Sequence, residues 1–224
     1  MPKPYYSHAG ITIYHGDCRE VLASLWGVDL IVTDPPYGIG WTRGVNAARN
    51  SPSHAGIVGD EDTSLRDCVL RNFPEVPGIV FGSFYAPFPP FLRQVLVWSK
   101  PGDSGVVGST TGFRRDVEPI FLTGPWPIRT VAWTSVLHSE RGMSAATSET
   151  GHPHTKPLGL LSVLLERAPQ GTVLDPFCGS GSTLVACKTQ GRSSVGIEIE
   201  ERYCEIAAKR LSQEVFDFHE VPGA

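Results

Sequence analysis

Residues 29–40 read DLIVTDPPYGIG, an apolar run that stops at an acid, two prolines and a tyrosine. The run LIVT has the composition of a strand that is buried on both faces, as in a parallel sheet covered by helices. The two prolines end this strand because neither can donate to a β ladder. Open α/β folds bind ligands at the carboxyl edge of the sheet, so we expect Asp34 and Tyr37 to lie at a binding site.

A second stretch with the same design is VLDPFCGSGST, residues 173–183. Here an apolar strand ends in an acid and a proline, and a glycine-rich turn opens a helix. Gly179 and Gly181 allow the backbone to bend tightly and to approach a ligand closely. Glu198 ends the next predicted strand about 20 residues on, the spacing at which a carboxylate accepts hydrogen bonds from ribose hydroxyls. The pattern indicates an adenosine-type cofactor. NAD is the weaker interpretation, because Leu184 stands where a dehydrogenase fingerprint needs its third glycine.

Strand and helix patterns alternate along the chain. Predicted strands lie at 11–17, 29–33, 77–83, 93–99, 117–123, 171–175 and 193–199, and predicted helices at 18–26, 156–168, 181–190 and 201–214. This alternation predicts an α/β fold with a doubly wound, mostly parallel sheet. The segments 38–59 and 124–155 lack periodicity and are predicted to be loops or a small insertion. The length of 224 residues fits a single domain spanning 1–224.

Composition excludes several classes of protein. The five cysteines are odd in number and contain no C-x-x-C pair, which argues against a disulfide framework and against a zinc cluster. No signal-peptide segment or membrane-length apolar run is found, so we expect a cytoplasmic protein without membrane contact or metal. The net charge is −4, but residues 38–157 hold 11 Lys and Arg against 10 Asp and Glu. That distribution permits a DNA-facing surface without establishing one.

Four segments together resemble a known family, the S-adenosylmethionine-dependent DNA amino-methyltransferases that act on adenine N6 or cytosine N4. The tetrapeptide Asp34, Pro35, Pro36 and Tyr37 looks like their catalytic motif, and residues 175–181, DPFCGSG, look like their cofactor loop. Two further segments fit: HPHTKP at 152–157 and GDC at 16–18. A lone D-P-P-Y is weak, whereas four segments in this order are a specific signal, and the resemblance runs from about residue 11 to 211.

The resemblance implies S-adenosylmethionine as the cofactor. The residues that it assigns to cofactor binding are Asp17, Cys18, Lys156, Pro157, Asp175, Phe177, Cys178, Gly179, Ser180, Gly181, Ser182, Thr183 and Glu198. Asp17 is expected to accept from the amino group of the cofactor's adenine. Lys156 has two alternatives of equal weight: it approaches the cofactor's carboxylate, or it is solvated.

The order of the motifs, catalytic before cofactor, resembles that of the permuted members of the family, the β group. It implies a circularly permuted Rossmann-like methyltransferase sheet, in which the strand at 11–17 lies beside the strand that ends at Glu198. Chain termini that lie close in space make such a permutation tolerable.

The resemblance also implies a mechanism. The target base is flipped out of the duplex, and the Asp34 carboxylate and the Pro35 carbonyl accept its two amino hydrogens. Tyr37 stacks on the base, and no metal or covalent intermediate is needed. Acceptors of this kind must be placed before the reaction, which explains the rigid Pro-Pro turn.

The sequence is compatible with several functions. Adenine-N6 transfer leads, because in this family Asp at position 34 is commoner in adenine enzymes and Ser in cytosine-N4 enzymes. The alternatives are cytosine-N4 transfer, a non-catalytic DNA-binding relative, and an RNA or protein methyltransferase with an analogous tetrapeptide.

Contacts with a double-stranded DNA substrate are expected from the arginines Arg43, Arg49, Arg114 and Arg115. The loop 38–50 is predicted to close over the flipped base. Only residues 124–151 remain as a target-recognition insertion, which is short for this family. So few base-edge contacts predict a short target or help from a second subunit, as in a homodimer.

Overall fold

The computed structural model describes residues 2–39, 59–100, 112–139 and 155–213. Its strands in these ranges are β1 (Tyr6–His8), β2 (Ile11–His15), β3 (Leu30–Thr33), β4 (Gly78–Phe81), β5 (Leu92–Ser99), β6 (Val117–Thr123), β7 (Val136–His138), β8 (Val173–Asp175) and β9 (Ser194–Glu198). The helices are α1 (Cys18–Leu22), α2 (Ser64–Asn72), α3 (Leu158–Arg167), α4 (Ser182–Thr189) and α5 (Glu201–Ser212). No helix in the described ranges is both long enough and apolar enough to cross a membrane.

One mixed sheet contains all of these strands, in the order β1-β2-β9-β8-β3-β4-β6-β5-β7. The strands β2, β9, β8, β3 and β4 are parallel to one another, whereas β6 runs antiparallel between β4 and β5. The predicted α/β fold with a mostly parallel sheet is confirmed, and β2 lies beside β9 as expected. The circular permutation stays a prediction.

Helices cover both faces of the sheet, which explains the uninterrupted apolar run of β3. Leu30 and Val32 are fully buried in a core that also contains apolar side chains of α3, α4 and α5. Ile31 points to the other face and packs in a cluster with Leu70 of α2. Because side chains of a strand alternate between faces, a strand covered on both sides needs apolar residues at every position.

Three elements were not predicted from the sequence. The strand β1 forms a hairpin with β2 through Ala9 and Gly10, which both have positive φ. Such two-residue turns favour glycine and match the twist of the paired strands. The helix α2 has few apolar residues: Val69 and Leu70 are buried in the core, and Leu65 packs against it. The strand β7 lies inside the segment 124–155 that was predicted to be loop, and it is held by pairing with β5.

Candidate active site

Four acidic residues from the predicted motifs lie at one edge of the sheet. Asp17 follows β2, Glu198 ends β9, Asp175 ends β8 and Asp34 follows β3. These four strands are neighbours and run parallel, so their carboxyl ends meet at the same edge. The structure therefore brings together motifs that are far apart in sequence, at the edge where open α/β sheets bind ligands.

A cleft of about 590 Å³ lies at this edge. Its lining includes Asp17, Cys18, Phe177, Glu198 and Ile199. The volume is within the range of about 300 to 1,000 Å³ that is usual for small-molecule sites. Four of the residues assigned to the cofactor from sequence are thus gathered around one cavity, together with an exposed isoleucine that the sequence did not single out.

The glycine-rich turn between β8 and α4 depends on two glycines. Gly179 and Gly181 have φ of 50° and 79°, in the left-handed region that favours glycine. A Cβ at Gly181 would also lie 2.8 Å from the Cβ of Ala207 in α5. The turn is therefore a tight connection that only glycine allows at these positions.

The hydroxyl residues of this turn face the protein interior. Ser180 and Ser182 are buried, and the guanidinium of Arg210 in α5 donates to the Ser182 hydroxyl at 3.2 Å. The same arginine donates to the Ser180 carbonyl, so α5 is fastened to the turn. Thr183 is buried as well.

Glu198 is held by the backbone on both of its carboxylate oxygens. Oε2 accepts from the Gly179 N–H at 2.9 Å, and Oε1 accepts from the Glu200 N–H at 2.8 Å. Burial raises the pKa of Glu198, while these backbone hydrogen bonds act in the opposite direction. The carboxylate is thus fixed in the wall of the cleft, with lone pairs left for hydroxyl groups of a ligand.

Asp17 lies on the β2 side of the same cleft and precedes α1. Its carboxylate accepts from the Arg19 backbone N–H at 2.9 Å and pairs with the Arg19 guanidinium. The hydrogen bond from the Arg19 side chain lowers the pKa of Asp17. Partial burial acts in the opposite direction but is the smaller effect, so the net shift is downward. Two oriented carboxylates, the apolar surfaces of Phe177 and Ile199, and a tight glycine turn fit an adenosine-type cofactor.

Asp34 is the centre of a second cluster at the same edge. The Tyr37 hydroxyl donates to Asp34 Oδ1 at 2.7 Å, and the Lys156 ammonium lies 2.8 Å from Asp34 Oδ2. Lys156 Nζ also donates to the Tyr37 hydroxyl oxygen at 3.1 Å. Residues from the tetrapeptide and from the segment before α3 are thus joined in one hydrogen-bonded group.

Lys156 is buried, with 5% of its surface exposed. Its ammonium lies 5.0 Å from the Phe81 ring centroid and 5.6 Å from that of Tyr37. Burial lowers the pKa of Lys156, but the charges of Asp34 and Glu118 outweigh it, and the net shift is upward. The alternative that Lys156 is solvated was therefore wrong, because aromatic rings and carboxylates enclose it. Contact with a cofactor carboxylate stays a prediction.

Glu118 was not identified from the sequence. Its Oε2 lies 3.6 Å from Lys156 Nζ, and its Oε1 lies 2.6 Å from Lys100 Nζ. The strand β6 that carries it reads VEPIFLT, and nothing in this pattern distinguishes its glutamate from a solvated charge.

Asp175 is a buried carboxyl beneath these groups. It accepts from the Thr33 hydroxyl at 2.8 Å and from the Phe177 N–H at 3.2 Å. Burial raises the pKa of Asp175 to about 6, although hydrogen bonds from Thr183, Thr33 and Phe177 oppose the rise. The residue joins the ends of β8 and β3, and thereby the cofactor loop and the catalytic tetrapeptide.

The raised pKa of Asp175 predicts a pH-dependent stability difference between the wild type and Asp175→Asn. A carboxyl with a folded pKa of about 6 and an ordinary value of 3.8 favours folding when protonated. Its contribution is full at low pH and is lost as the pH rises through about 6, by up to about 3 kcal/mol. Denaturant titrations between pH 4 and 7.5 should show the wild type losing stability relative to Asp175→Asn.

Asp62→Asn is the matched control for that experiment. Hydrogen bonds from Ser64 lower the pKa of the exposed Asp62, so its pH dependence has the opposite sign. A constant difference between the wild type and Asp175→Asn across the range would show that the pKa of Asp175 is the same in the folded and the unfolded protein, and would contradict the prediction.

Of the four predicted DNA-binding arginines, the structure describes two. Arg114 and Arg115 are exposed just before β6, and the Arg115 guanidinium lies 5.1 Å from the ring centroid of Tyr85, which is 74% exposed. Arg43 and Arg49, and most of the loop 38–50, lie outside the described residues. Among the residues described, no group of three or more His, Cys, Asp or Glu is placed to hold a metal ion.

Comparison with known proteins agrees with the family resemblance that the sequence motifs indicate. A family model described as DNA methylase, of the N6/N4 type, matches residues 123–209. The protein named methylase YubD from Escherichia coli K12 is 30% identical over 213 residues, which cover 88% of each chain. The DNA adenine methyltransferase YhdJ from the same strain is 26% identical over 241 residues, 89% of this chain and 82% of YhdJ.

Two solved structures share the fold. The M1.HpyAVI complex with S-adenosylmethionine has a TM-score of 0.64 and 24% identity, and the match covers 91% of this chain and all of that one. The cytosine-N4-specific PvuII DNA methyltransferase has a TM-score of 0.64 and 18% identity, and the match covers 96% of this chain and 91% of that one. The fold, the motifs gathered at one sheet edge and the extent of the match to YubD lead to one assignment: the chain belongs to the N6/N4 DNA methylase family.

Proposed function

We propose that this protein transfers a methyl group from S-adenosylmethionine to the exocyclic amino group of a base in double-stranded DNA, with adenine N6 as the target. The observation that carries the proposal is the Asp34 carboxylate, held by Tyr37 and Lys156 at the sheet edge that also holds the Asp17 and Glu198 cleft. An acceptor for the target and a cofactor cleft at one edge are the two parts that such a transfer needs.

The residues of the cleft would hold the cofactor. Glu198 would accept from the ribose hydroxyls and Asp17 from the adenine amino group, while Phe177 and Ile199 would cover the base. When bound, S-adenosylmethionine supplies an electrophilic methyl group on a sulfonium sulfur. The tight turn at Gly179 and Gly181 would allow the backbone to approach the adenosine part of the bound cofactor closely.

The tetrapeptide would act on the target. Asp34 would accept one hydrogen of the amino group and the Pro35 carbonyl the other, which turns the nitrogen lone pair out of conjugation with the ring. As positive charge develops on that nitrogen, the Asp34 carboxylate would stabilise it, and it would take up the proton that the methylated nitrogen gives up. The fixed geometry of Asp34, which rests on Tyr37 and Lys156, avoids reorganisation during the reaction.

Two observations favour adenine over cytosine as the target base. Aspartate at position 34 favours adenine, and the similarity to YhdJ, named as a DNA adenine methyltransferase, points the same way. Cytosine N4 is the second candidate, because the cytosine-N4-specific PvuII enzyme shares the fold with a TM-score of 0.64. The intact tetrapeptide argues against a non-catalytic relative. A homodimer, a cytoplasmic location, a metal-free reaction and a target-recognition role for 124–151 stay predictions.

The test is to incubate the protein with isotopically labelled S-adenosylmethionine and unmethylated DNA, then to digest the DNA and analyse its nucleosides by mass spectrometry. Label in N6-methyldeoxyadenosine supports the proposal, whereas label in N4-methyldeoxycytidine supports the second candidate. Parallel incubations with RNA and with protein decide between nucleic-acid and protein substrates. Label in neither DNA product would contradict the proposed function.

Replacing Arg114 and Arg115 together by alanine is expected to weaken DNA binding and to make it less dependent on salt. If each arginine neutralises one phosphate, the slope of log K against log salt concentration should decrease in magnitude by about 1 to 2. Fluorescence anisotropy with a labelled duplex at several salt concentrations measures this slope.

Lys209→Ala is the control for charge, because Lys209 lies exposed on α5 and pairs with Glu205. Its slope should equal that of the wild type. The same measurement applies to Arg43 and Arg49, and an unchanged slope in either double variant would remove that pair from the DNA interface.

A further inference from the structure

A row of alternating charges leads from the antiparallel part of the sheet to Asp34. Lys100, just after β5, lies 2.6 Å from Glu118 Oε1 on the neighbouring strand β6. Glu118 Oε2 lies 3.6 Å from Lys156 Nζ, which in turn lies 2.8 Å from Asp34 Oδ2. The antiparallel direction of β6 brings its first residues to the same edge as the carboxyl ends of β3 and β5.

Glu118 acts on Lys156 through charge rather than through a hydrogen bond. Its Oε2 is buried and accepts no hydrogen bond from any residue that the structure describes, and 3.6 Å is too long for one. A buried carboxylate oxygen without a donor is costly unless it interacts with a nearby charge. Among the residues that the structure describes, the Lys156 ammonium supplies such a charge.

The balance of charge around Asp34 matters for the chemistry. Asp34 and Glu118 carry two negative charges, and Lys156 and Lys100 carry two positive charges, so the row is neutral. The proposed reaction places a positive charge on an amino nitrogen beside Asp34. Without Glu118 the row would be positive, and its repulsion would act on the transition state more than on bound substrate.

We propose that Glu118 is a positioning residue for methyl transfer, which holds the Lys156 ammonium against Asp34 and keeps the surroundings of the target amino group from becoming net positive. Lys100 has the opposite effect, because it neutralises Glu118. This inference rests on the proposed function and deepens it, since it assigns a role in that reaction to residues on β5 and β6.

The kinetic test uses Glu118→Gln, which keeps the shape of the side chain and removes its charge. We expect kcat to fall at least about tenfold, which corresponds to 1.36 kcal/mol in the barrier, with the KM values for DNA and cofactor within a few-fold. Circular dichroism and thermal unfolding verify the fold of each variant. Lys209→Met, on α5, is the control and should keep the wild-type rate.

The double variant Lys100→Met/Glu118→Gln separates charge balance from simple packing. It removes one positive and one negative charge, so the row is neutral again, and we expect it to react faster than Glu118→Gln alone. A merely structural role of this contacting pair would leave the double variant no faster than Glu118→Gln, because removing the partner of a lost contact restores nothing. A double variant that is no faster than Glu118→Gln, or an unchanged kcat in Glu118→Gln, would overturn the proposal.

A spectroscopic readout is independent of methylation. The protein contains five lysines, Lys3, Lys100, Lys156, Lys188 and Lys209, so carbon-13 labelling at lysine Cε gives a simple spectrum. The Lys156 signal is assigned with Lys156→Arg. The titratable groups that face its ammonium are Asp34, Tyr37 and Glu118.

Because Asp34 and Glu118 raise the pKa of Lys156 against the effect of burial, Glu118→Gln should move the titration of Lys156 to lower pH. An unchanged midpoint would show that Glu118 does not hold this ammonium, and would overturn the proposal. Failure of the wild type to methylate DNA would contradict the proposed function instead, while the lysine titration would still decide whether Glu118 and Lys156 interact.

Discussion

Replacing Asp34 by alanine is expected to lower kcat for methyl transfer by about a hundredfold to a thousandfold. The loss of a single preorganised polar group has an effect of this size in other enzymes. The carboxylate is the charged acceptor placed for the target amino group, and Tyr37 and Lys156 both bind it. Asp34 does not line the cleft that contains Asp17 and Glu198, so cofactor affinity should stay within a few-fold of the wild type.

Asp34→Asn is the matched control for this prediction. The asparagine keeps the shape of the side chain and an oxygen for the Tyr37 hydroxyl, but it removes the charge that faces Lys156. Single-turnover methyl incorporation measures the chemical step, and calorimetric titration measures cofactor binding. Turnover of Asp34→Ala within tenfold of the wild type would remove Asp34 from the mechanism.

The sequence was sufficient to predict the central strands, because their apolar runs are a direct consequence of burial on two faces. An acid followed by proline comes directly after β3 and at the end of β8, and the structure places these two strands side by side. The helix α2 shows the opposite case. Its sequence SLRDCVLRN contains charges that the fold places partly inside, since Arg66 is buried and donates to the Pro87 carbonyl. A pattern based on polarity cannot predict that contact.

The residues of the candidate site likewise divide into those that local sequence identifies and those that depend on the tertiary fold. Asp34 could be identified because it follows an apolar strand within a recognisable motif, and Glu198 because it ends the apolar strand that comes next after the glycine-rich turn. Glu118 could not, because its place beside Lys156 depends on the pairing of β6 with β4 and β5, which brings the amino end of an antiparallel strand to the carboxyl edge of the sheet. The burial of Lys156 likewise depends on Phe81 and Tyr37, which are far from it in the sequence.

Glu198→Ala is expected to weaken cofactor binding by about 1.5 to 3 kcal/mol, or about tenfold to 150-fold in Kd. Two losses contribute to this effect. A ligand hydroxyl would lose a charged acceptor in the wall of the cleft. In addition, the Gly179 and Glu200 N–H groups, which Glu198 accepts from at 2.9 and 2.8 Å, would lose their partner.

Glu198→Gln separates these two losses, because its amide oxygen can still accept from one backbone N–H while the charge is gone. If the charged acceptor dominates, Glu198→Gln should bind S-adenosylmethionine nearly as weakly as Glu198→Ala does. If the backbone of the turn dominates, the glutamine variant should recover much of the affinity and of the thermal stability. Calorimetric titration of both variants measures the difference. A Kd within twofold of the wild type in Glu198→Ala would place the ribose elsewhere, because a buried carboxylate in direct contact with the ligand cannot be removed at so small a cost.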